Sequence, residues 1–238
     1  MAGGLIASLP SQNQAVADIG RFLPKFQGVK ICRDTHPHAS VRNLTNTTLL
    51  RQRKPMIQDG RNKPNPYPLK ERLARLAWVA AHAVLFRPVP RCLNGWRCVL
   101  LRLFGAHIGK ENIIHPTVEI YFPWRLHTEA CCVIGDRVKL YSLGDIYLGE
   151  HTVISQHAHL CAGTHDYTLP WMPLLRPGIS IGKGCWICTD AFIGPGAQVG
   201  DGAVIGARSV VFGELPPGVV CAGNPCRPIK PRIMKIPP

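Results

Sequence analysis

From Ile181 onward the chain places an aliphatic residue at every sixth position: Ile181, Ile187, Ile193, Val199, Ile205 and Val211. The residue that follows is small at Gly182, Cys188, Gly194, Gly200 and Gly206, with Phe212 the exception. Four places after each aliphatic comes another small side chain, at Cys185, Ala191, Ala197, Ala203 and Ser209. The same frame holds at Leu148, Ile154 and Leu160, with Thr152, Ala158 and Thr164 four places on. It is looser through Thr128, Ile134 and Leu140, with Cys132, Val138 and Gly144, and Ile108, Ile114 and Ile120 begin an earlier block.

A period of six suits neither a helix at 3.6 residues nor a lone strand at 2. It suits a triangular coil in which each hexapeptide makes one short strand and one corner. The aliphatic residue and the one four places on point inward, and the small residue between lets the chain turn. Three hexapeptides close a coil, and coils stack about 4.8 Å apart through strand hydrogen bonds. The predicted fold is therefore all-β, a parallel β-helix of hexapeptide repeats over residues 108–215.

Ahead of it, residues 69–86 read as a helix with Leu69, Leu73, Leu76 and Ala80 along one face, ended by "RPVPR". A second helix is expected from Asn94, as N-cap, to Gly105. Residues 67–107 thus form a helical cap over the open end of the solenoid. Their arginines beside apolar stripes also suit peripheral contact with an anionic membrane surface. Residues 1–66 have few aromatics and no sustained period, and read as a basic segment that is extended or disordered. Residues 216–238 are a C-terminal tail.

Charge divides the chain at the same place. Residues 1–107 hold 17 Lys/Arg against 4 Asp/Glu, whereas residues 108–238 hold 11 against 10. No zinc-ligand spacing, RNP-like strand or helix-turn-helix pattern accompanies the basic front, so no nucleic-acid partner is expected. The longest apolar run, Ala77–Phe86, is too short to span a bilayer. The N-terminus lacks a basic segment ahead of its apolar stretch, and a cytoplasmic, reduced protein is expected. Of the ten cysteines, Cys132, Cys161, Cys185 and Cys188 fall on small inward positions, where a thiol is a compact hydrophobe. The C-x-x-C of Cys185 and Cys188 is accordingly read as core filling.

Function is argued by what interrupts the repeat. After "LCAGTH" completes a frame at His165, residues 166–180 have no place in the count, and the period resumes at Ile181. Such an excursion from a regular coil is where a site wall is built. His165 stands at its root in an outward position, where a neutral imidazole can take a proton from a hydroxyl and return it. Tyr167 and Trp171 follow as candidate acceptor-binding aromatics. Asp166, Glu150 and Asp190 are the candidate carboxylates to orient the imidazole.

Five stretches carry a resemblance: "LFRPVPRCLNGWRCVLLRLFGAHIG" (85–109), "VISQHAHLCAGTHDYT" (153–168), "GCWI" (184–187), "VIGARSVV" (204–211) and "AGNPCRPIK" (222–230). Residues 84–238 resemble the hexapeptide-repeat acyltransferases, and among them the colanic-acid-biosynthesis type of sugar O-acetyltransferase. The resemblance implies left-handed winding of the coils, against the usual right-handed crossover. It implies a homotrimer with its sites between subunits, acetyl-CoA as acetyl donor, no metal, and a saccharide as acceptor in cell-surface polysaccharide synthesis; contact of the basic helices with a membrane would suit a lipid-linked saccharide. On this pattern His165 is the general base, Thr189 and Ala207 line the pantetheine channel, and Lys230 lies near the nucleotide end. Relatives carry Thr-Lys where this chain has Phe212-Gly213, which leaves Arg208 or Arg232 to make the cofactor contact expected there. Met56 resembles the usual start of such chains, so residues 1–55 are an extension.

Two other readings come from the residues. His151 with His157, and His159 with His165, are each six apart, and a γ-type carbonic anhydrase on this scaffold would hold zinc between such pairs stacked on adjacent coils. A scaffold without catalysis would use the same repeat with no site at all.

Overall fold

A computed structural model of the chain describes residues 67–234. The expectations for residues 1–66, including the extension ahead of Met56, lie outside the described residues.

The repeat folds as three stacked parallel sheets, each forming one face of a solenoid. The first face stacks His107–Ile108, Leu126–Thr128, Ile146–Leu148, Ile179–Ile181, Gln198–Val199 and Glu214–Leu215. The second begins at Ile113–Ile114 and runs to Val219–Ala222, and the third runs from Glu119–Ile120 to Val210–Val211. Register follows the sequence frame: Leu148 pairs Ile181, Ile154 pairs Ile187, and Leu160 pairs Ile193. The aliphatics of every block, and the fourth-on residues Asn112, Cys132, Thr152, Cys185, Ala191, Ala197, Ala203 and Ser209, are all buried. Burial of this unbroken aliphatic column is the main driving force for the fold.

Spacing along the stack explains why the early repeat is looser. Ile108, Thr128 and Leu148 are stacked partners twenty residues apart, whereas Ile181 and Val199 are eighteen apart. The early coils carry two extra residues at the corner between the third and first faces, where Pro123–Arg125 makes a 3-10 turn. The tail is not separate from the solenoid: Val220 and Cys221 pair with Val204 and Ile205, so coiling continues past residue 216. Arg227–Pro231 then covers that last strand in antiparallel fashion.

Three inward assignments are corrected. Cys161 and Cys188, each next to an aliphatic, are only half-buried, while Cys132 and Cys185 are fully inside. The small residue beside the aliphatic answers to a different constraint: a Cβ on Gly149 would stand 2.5 Å from the carbonyl carbon of Gly182 on the next coil. Thr164 is exposed rather than inward, because the chain has already left the coil.

At the N-terminal end, α1 (Leu69–Ala81) continues as a short π-helical segment to Phe86, and α2 spans Asn94–Leu103. The first coil has no coil before it, so its edge carbonyls need donors. Side chains of the front segment supply them on all three faces. Arg102 Nε donates to Ile108 O (2.9 Å) and Arg97 Nε to Ile114 O (2.8 Å). Trp78 Nε1 donates to Ile120 O (2.6 Å) and His82 Nε2 to Val118 O (2.9 Å). Asn94 is not a helix cap as expected: its Nδ2 donates to Asn112 O (2.5 Å) and its Oδ1 accepts from Ile114 N (2.9 Å). The apolar row of α1 is a second correction. Leu69, Leu73, Leu76 and Ala80 face outward, and Trp78 is the buried residue of the helix.

Candidate active site

The excursion is an antiparallel hairpin. Thr164–His165 pairs with Leu174–Leu175, His165 opposite Leu174, and solenoid pairing returns at Ile179, two residues earlier than the repeat implies. Asp166 Oδ1 accepts from the backbone N and hydroxyl of Thr168 (2.9 and 2.5 Å), an Asx turn that bends the outgoing strand. Leu169 O accepts from Met172 N (2.9 Å), closing a second turn with Pro170 at its favoured second position.

This second turn aims a carbonyl at the histidine. His165 Nδ1 lies 2.8 Å from Met172 O. A carbonyl can only accept, so Nδ1 carries the hydrogen, and in the neutral ring Nε2 keeps its lone pair. His165 itself is exposed. The ring is thus fixed in the tautomer that leaves Nε2 able to accept a hydrogen, on a hairpin anchored to the coil.

The orienting group is therefore a carbonyl, in a place where the sequence suggested a carboxylate. Asp166 is turned to Thr168, Glu150 lies 3.9 Å from His151 Nε2, and Asp190 lies 3.8 Å from Arg208 Nε. Tyr167 and Trp171 are on the hairpin and largely exposed, on the same loop as His165. The foot of the hairpin is tied to the front of the chain. Arg176 Nη1 lies 3.4 Å from Glu71 Oε1 of α1, and its guanidinium sits over the Tyr67 ring at 4.9 Å.

Thr189 and Ala207 stand elsewhere, at the corner between the second and third faces. They stack above Gln156: Thr189 Oγ1 donates to Gln156 O (3.0 Å), and Arg208 N donates to Thr189 O (3.0 Å). Within one protomer the third face, a six-residue edge of at most roughly 20 Å, separates this corner from His165. Lys230 and Arg208 are exposed, further toward the C-terminal end. Arg232 is committed to structure, with Nη1 donating to Gly184 O (2.7 Å) and Gly202 O (2.9 Å).

Along the Thr189 corner, toward the N-terminal end, lies an open cavity of about 570 Å³, lined by polar and charged residues that include Arg87, Arg137, Lys139, His157 and His159. Burial, and secondarily Lys139, pushes the His159 imidazole below its ordinary value. Sequence reading missed this cavity, because its residues recur once per coil, about twenty positions apart, rather than as a local motif. The same spacing hid the ladder of His107, His127 and Tyr147, whose rings stack at 4.8 and 4.5 Å on the first face.

The proposed zinc pairs do not form. Residues six apart in this fold occupy successive corners or faces of one coil; stacked partners are eighteen or twenty apart. His151 and His157 therefore sit at different corners, and no group of three or more His, Cys, Asp or Glu able to hold a metal occurs among the described residues. All nine described cysteines are free, and burial raises the thiols of Cys185 and Cys188 above their ordinary value.

Stacked hexapeptide coils broken by a histidine-bearing hairpin define a class of group-transfer enzyme. The bacterial transferase hexapeptide (six repeats) pattern matches residues 178–213. Over 156 residues the chain is 47% identical to WcaF of Escherichia coli K12, assigned as a colanic acid biosynthesis acetyltransferase, covering 66% of this chain and 86% of that one. It is 27% identical over 142 residues to the galactoside O-acetyltransferase of the same organism, covering 55% and 66%. The chain belongs to the hexapeptide-repeat acetyltransferases. Its fold matches galactoside acetyltransferase in complex with coenzyme A at TM-score 0.65 and 24% identity, covering 71% of this chain and 86% of that one. A maltose O-acetyltransferase from Clostridium difficile 630 matches at TM-score 0.63 and 23% identity, covering 70% and 90%.

Proposed function

We propose that this chain transfers an acetyl group from acetyl-CoA to a hydroxyl of a saccharide destined for cell-surface polysaccharide, with His165 as general base. The observation that carries the reading is the Nδ1–H bond to Met172 O, which leaves Nε2 basic at the root of the hairpin. Nε2 accepts the proton of the acceptor hydroxyl as that oxygen bonds to the acetyl carbon, holds it as an imidazolium steadied by the Met172 carbonyl, and passes it to the sulfur of CoA as the thioester C–S bond breaks. General-base assistance of this kind contributes about 10²–10⁴-fold. Backbone N–H groups at the coil edge are the donors available to a tetrahedral oxyanion.

Acetyl-CoA, when bound, supplies an acyl group activated as a thioester. The edge through Thr189 and Ala207 suits it: Ala207 is exposed and adds no bulk, and the exposed cations Arg208 and Lys230 suit the phosphates of its far end. Because His165 and this edge lie on opposite sides of the third face, a complete site needs the hairpin of one subunit against the edge of another. A homotrimer with three intersubunit sites meets that need. Tyr167 and Trp171 supply apolar ring faces for a sugar.

The test is His165→Ala assayed for acetyl transfer to a saccharide panel, with assembly followed by light scattering. Loss of transfer of about 10²-fold or more with the assembly intact is expected. Undiminished turnover overturns the assignment.

A further inference from the structure

We propose that the outward face of α1, formed by Leu69, Leu73, Leu76 and Ala80, docks the enzyme on an anionic lipid surface, independently of the identity of the acceptor. An amphipathic helix in a soluble protein normally turns its apolar row inward, and here the row is outward. Leu69, Leu73 and Leu76 are 67%, 58% and 67% exposed, and Val79 at 57% widens the row. The inward work is done by Trp78 and His82, whose ring nitrogens bond the first coil's carbonyls. The leucines are therefore not needed to hold the helix in place.

Charge identifies the occupant. Residues 67–107 contain seven Lys or Arg and one acidic residue, Glu71. Glu71 is half-buried and paired with Arg176 of the hairpin, so it does not offset the face. Lys70 and Arg72 of α1 are exposed, as are Arg87 and Arg91 on the segment that follows it. A second copy docking by the same face would set these cations against one another. An anionic bilayer surface accepts both parts at once: leucines into the acyl boundary, cations among the headgroups. No helix among the described residues is long and apolar enough to cross a membrane, so the contact is one of lying on the surface.

The full-length protein is floated with vesicles of phosphatidylcholine alone and of phosphatidylcholine with phosphatidylglycerol, beside Leu73→Glu/Leu76→Glu and Leu73→Gln/Leu76→Gln variants. Expected is binding to the anionic vesicles, weakened by salt, and a loss of at least tenfold in partitioning for both variants, with circular dichroism and acetyl transfer to a water-soluble acceptor unchanged. Failure to bind anionic vesicles overturns the proposal. So does full binding by the variants, which would assign the contact to other basic residues. A drop in oligomeric size on either substitution would assign the face to a subunit contact, and also overturns it. Loss of acetyl transfer bears on the proposed activity and is read separately from flotation.

Discussion

His165 and Met172 face each other across the base of a hairpin, joined by a 2.8 Å hydrogen bond from the imidazole to a main-chain carbonyl. Met172 adopts a left-handed φ of 41°, unusual for a side chain of its size, and the turn from Leu169 holds it there. Pro170 stiffens that turn. Pro170→Gly is expected to cost about 0.4–1 kcal/mol of stability through the larger entropy of the unfolded chain, and to lower kcat by loosening the carbonyl that orients the imidazole. Steady-state kinetics should show KM for acetyl-CoA unchanged.

Arg176 links the hairpin to α1 through Glu71 and stacks on Tyr67. Arg176→Ala is expected to lower kcat by roughly 10- to 100-fold, the scale of a small misplacement of a catalytic group. The charge-exchanged pair, Glu71→Arg with Arg176→Glu, should recover part of the loss. Equal damage in the single and exchanged forms would show that the ion pair has no positioning role.

Arg97 is a buried cation that bonds the carbonyls of Ile114, Val89, Pro90 and Arg91. Burial pulls its guanidinium below the ordinary value. Arg97→Met removes this donor from all four carbonyls, of which Pro90 O keeps a bond from Leu93 N. With one or two fully shut from water at about 1–3 kcal/mol each, a loss of roughly 2–4 kcal/mol is expected in denaturant unfolding, with the solenoid's far end still protected in hydrogen exchange.

Two glycines one coil apart should respond differently to alanine. At Gly149 the new Cβ meets the backbone of Gly182 at 2.5 Å, so coils must separate, at about 1–3 kcal/mol or more. At Gly184 nothing lies within 4 Å, and the obstacle is its φ of 60°, worth about 1–2 kcal/mol. Thermal melts should therefore rank Gly149→Ala below Gly184→Ala.

His159 gives the fold a pH dependence. Its folded-state pKa is below its ordinary 6.5, chiefly through burial. Between the two values the unfolded chain binds more protons than the folded one, so stability is highest above 6.5 and falls as pH drops through that window. His115 is lowered in the same direction, again mainly by burial. His159→Phe should flatten the fall in melting temperature on acidification. An unchanged slope would leave the dependence to His115 and other groups.

The period of six determined the faces, the register and the core, because a side chain four places beyond an aliphatic must fill the same narrow interior in every coil. Ile181 and Val199 could be paired from sequence alone, and so could the break at His165. What the sequence did not determine was the side-chain groupings that coil stacking builds on the outside of the solenoid. Its histidine pairs were placed one above another, although six residues carry the chain only one face further. The cavity of Arg137 and His157 joins residues that meet only because coils stack. The carbonyl that sets the His165 tautomer has no side-chain signature at all, so only the folded hairpin could choose Met172 over three plausible carboxylates. The leucine row of α1 had the period of a core-facing helix, yet the first coil's bare carbonyls drew Trp78 and His82 inward and left the leucines outside.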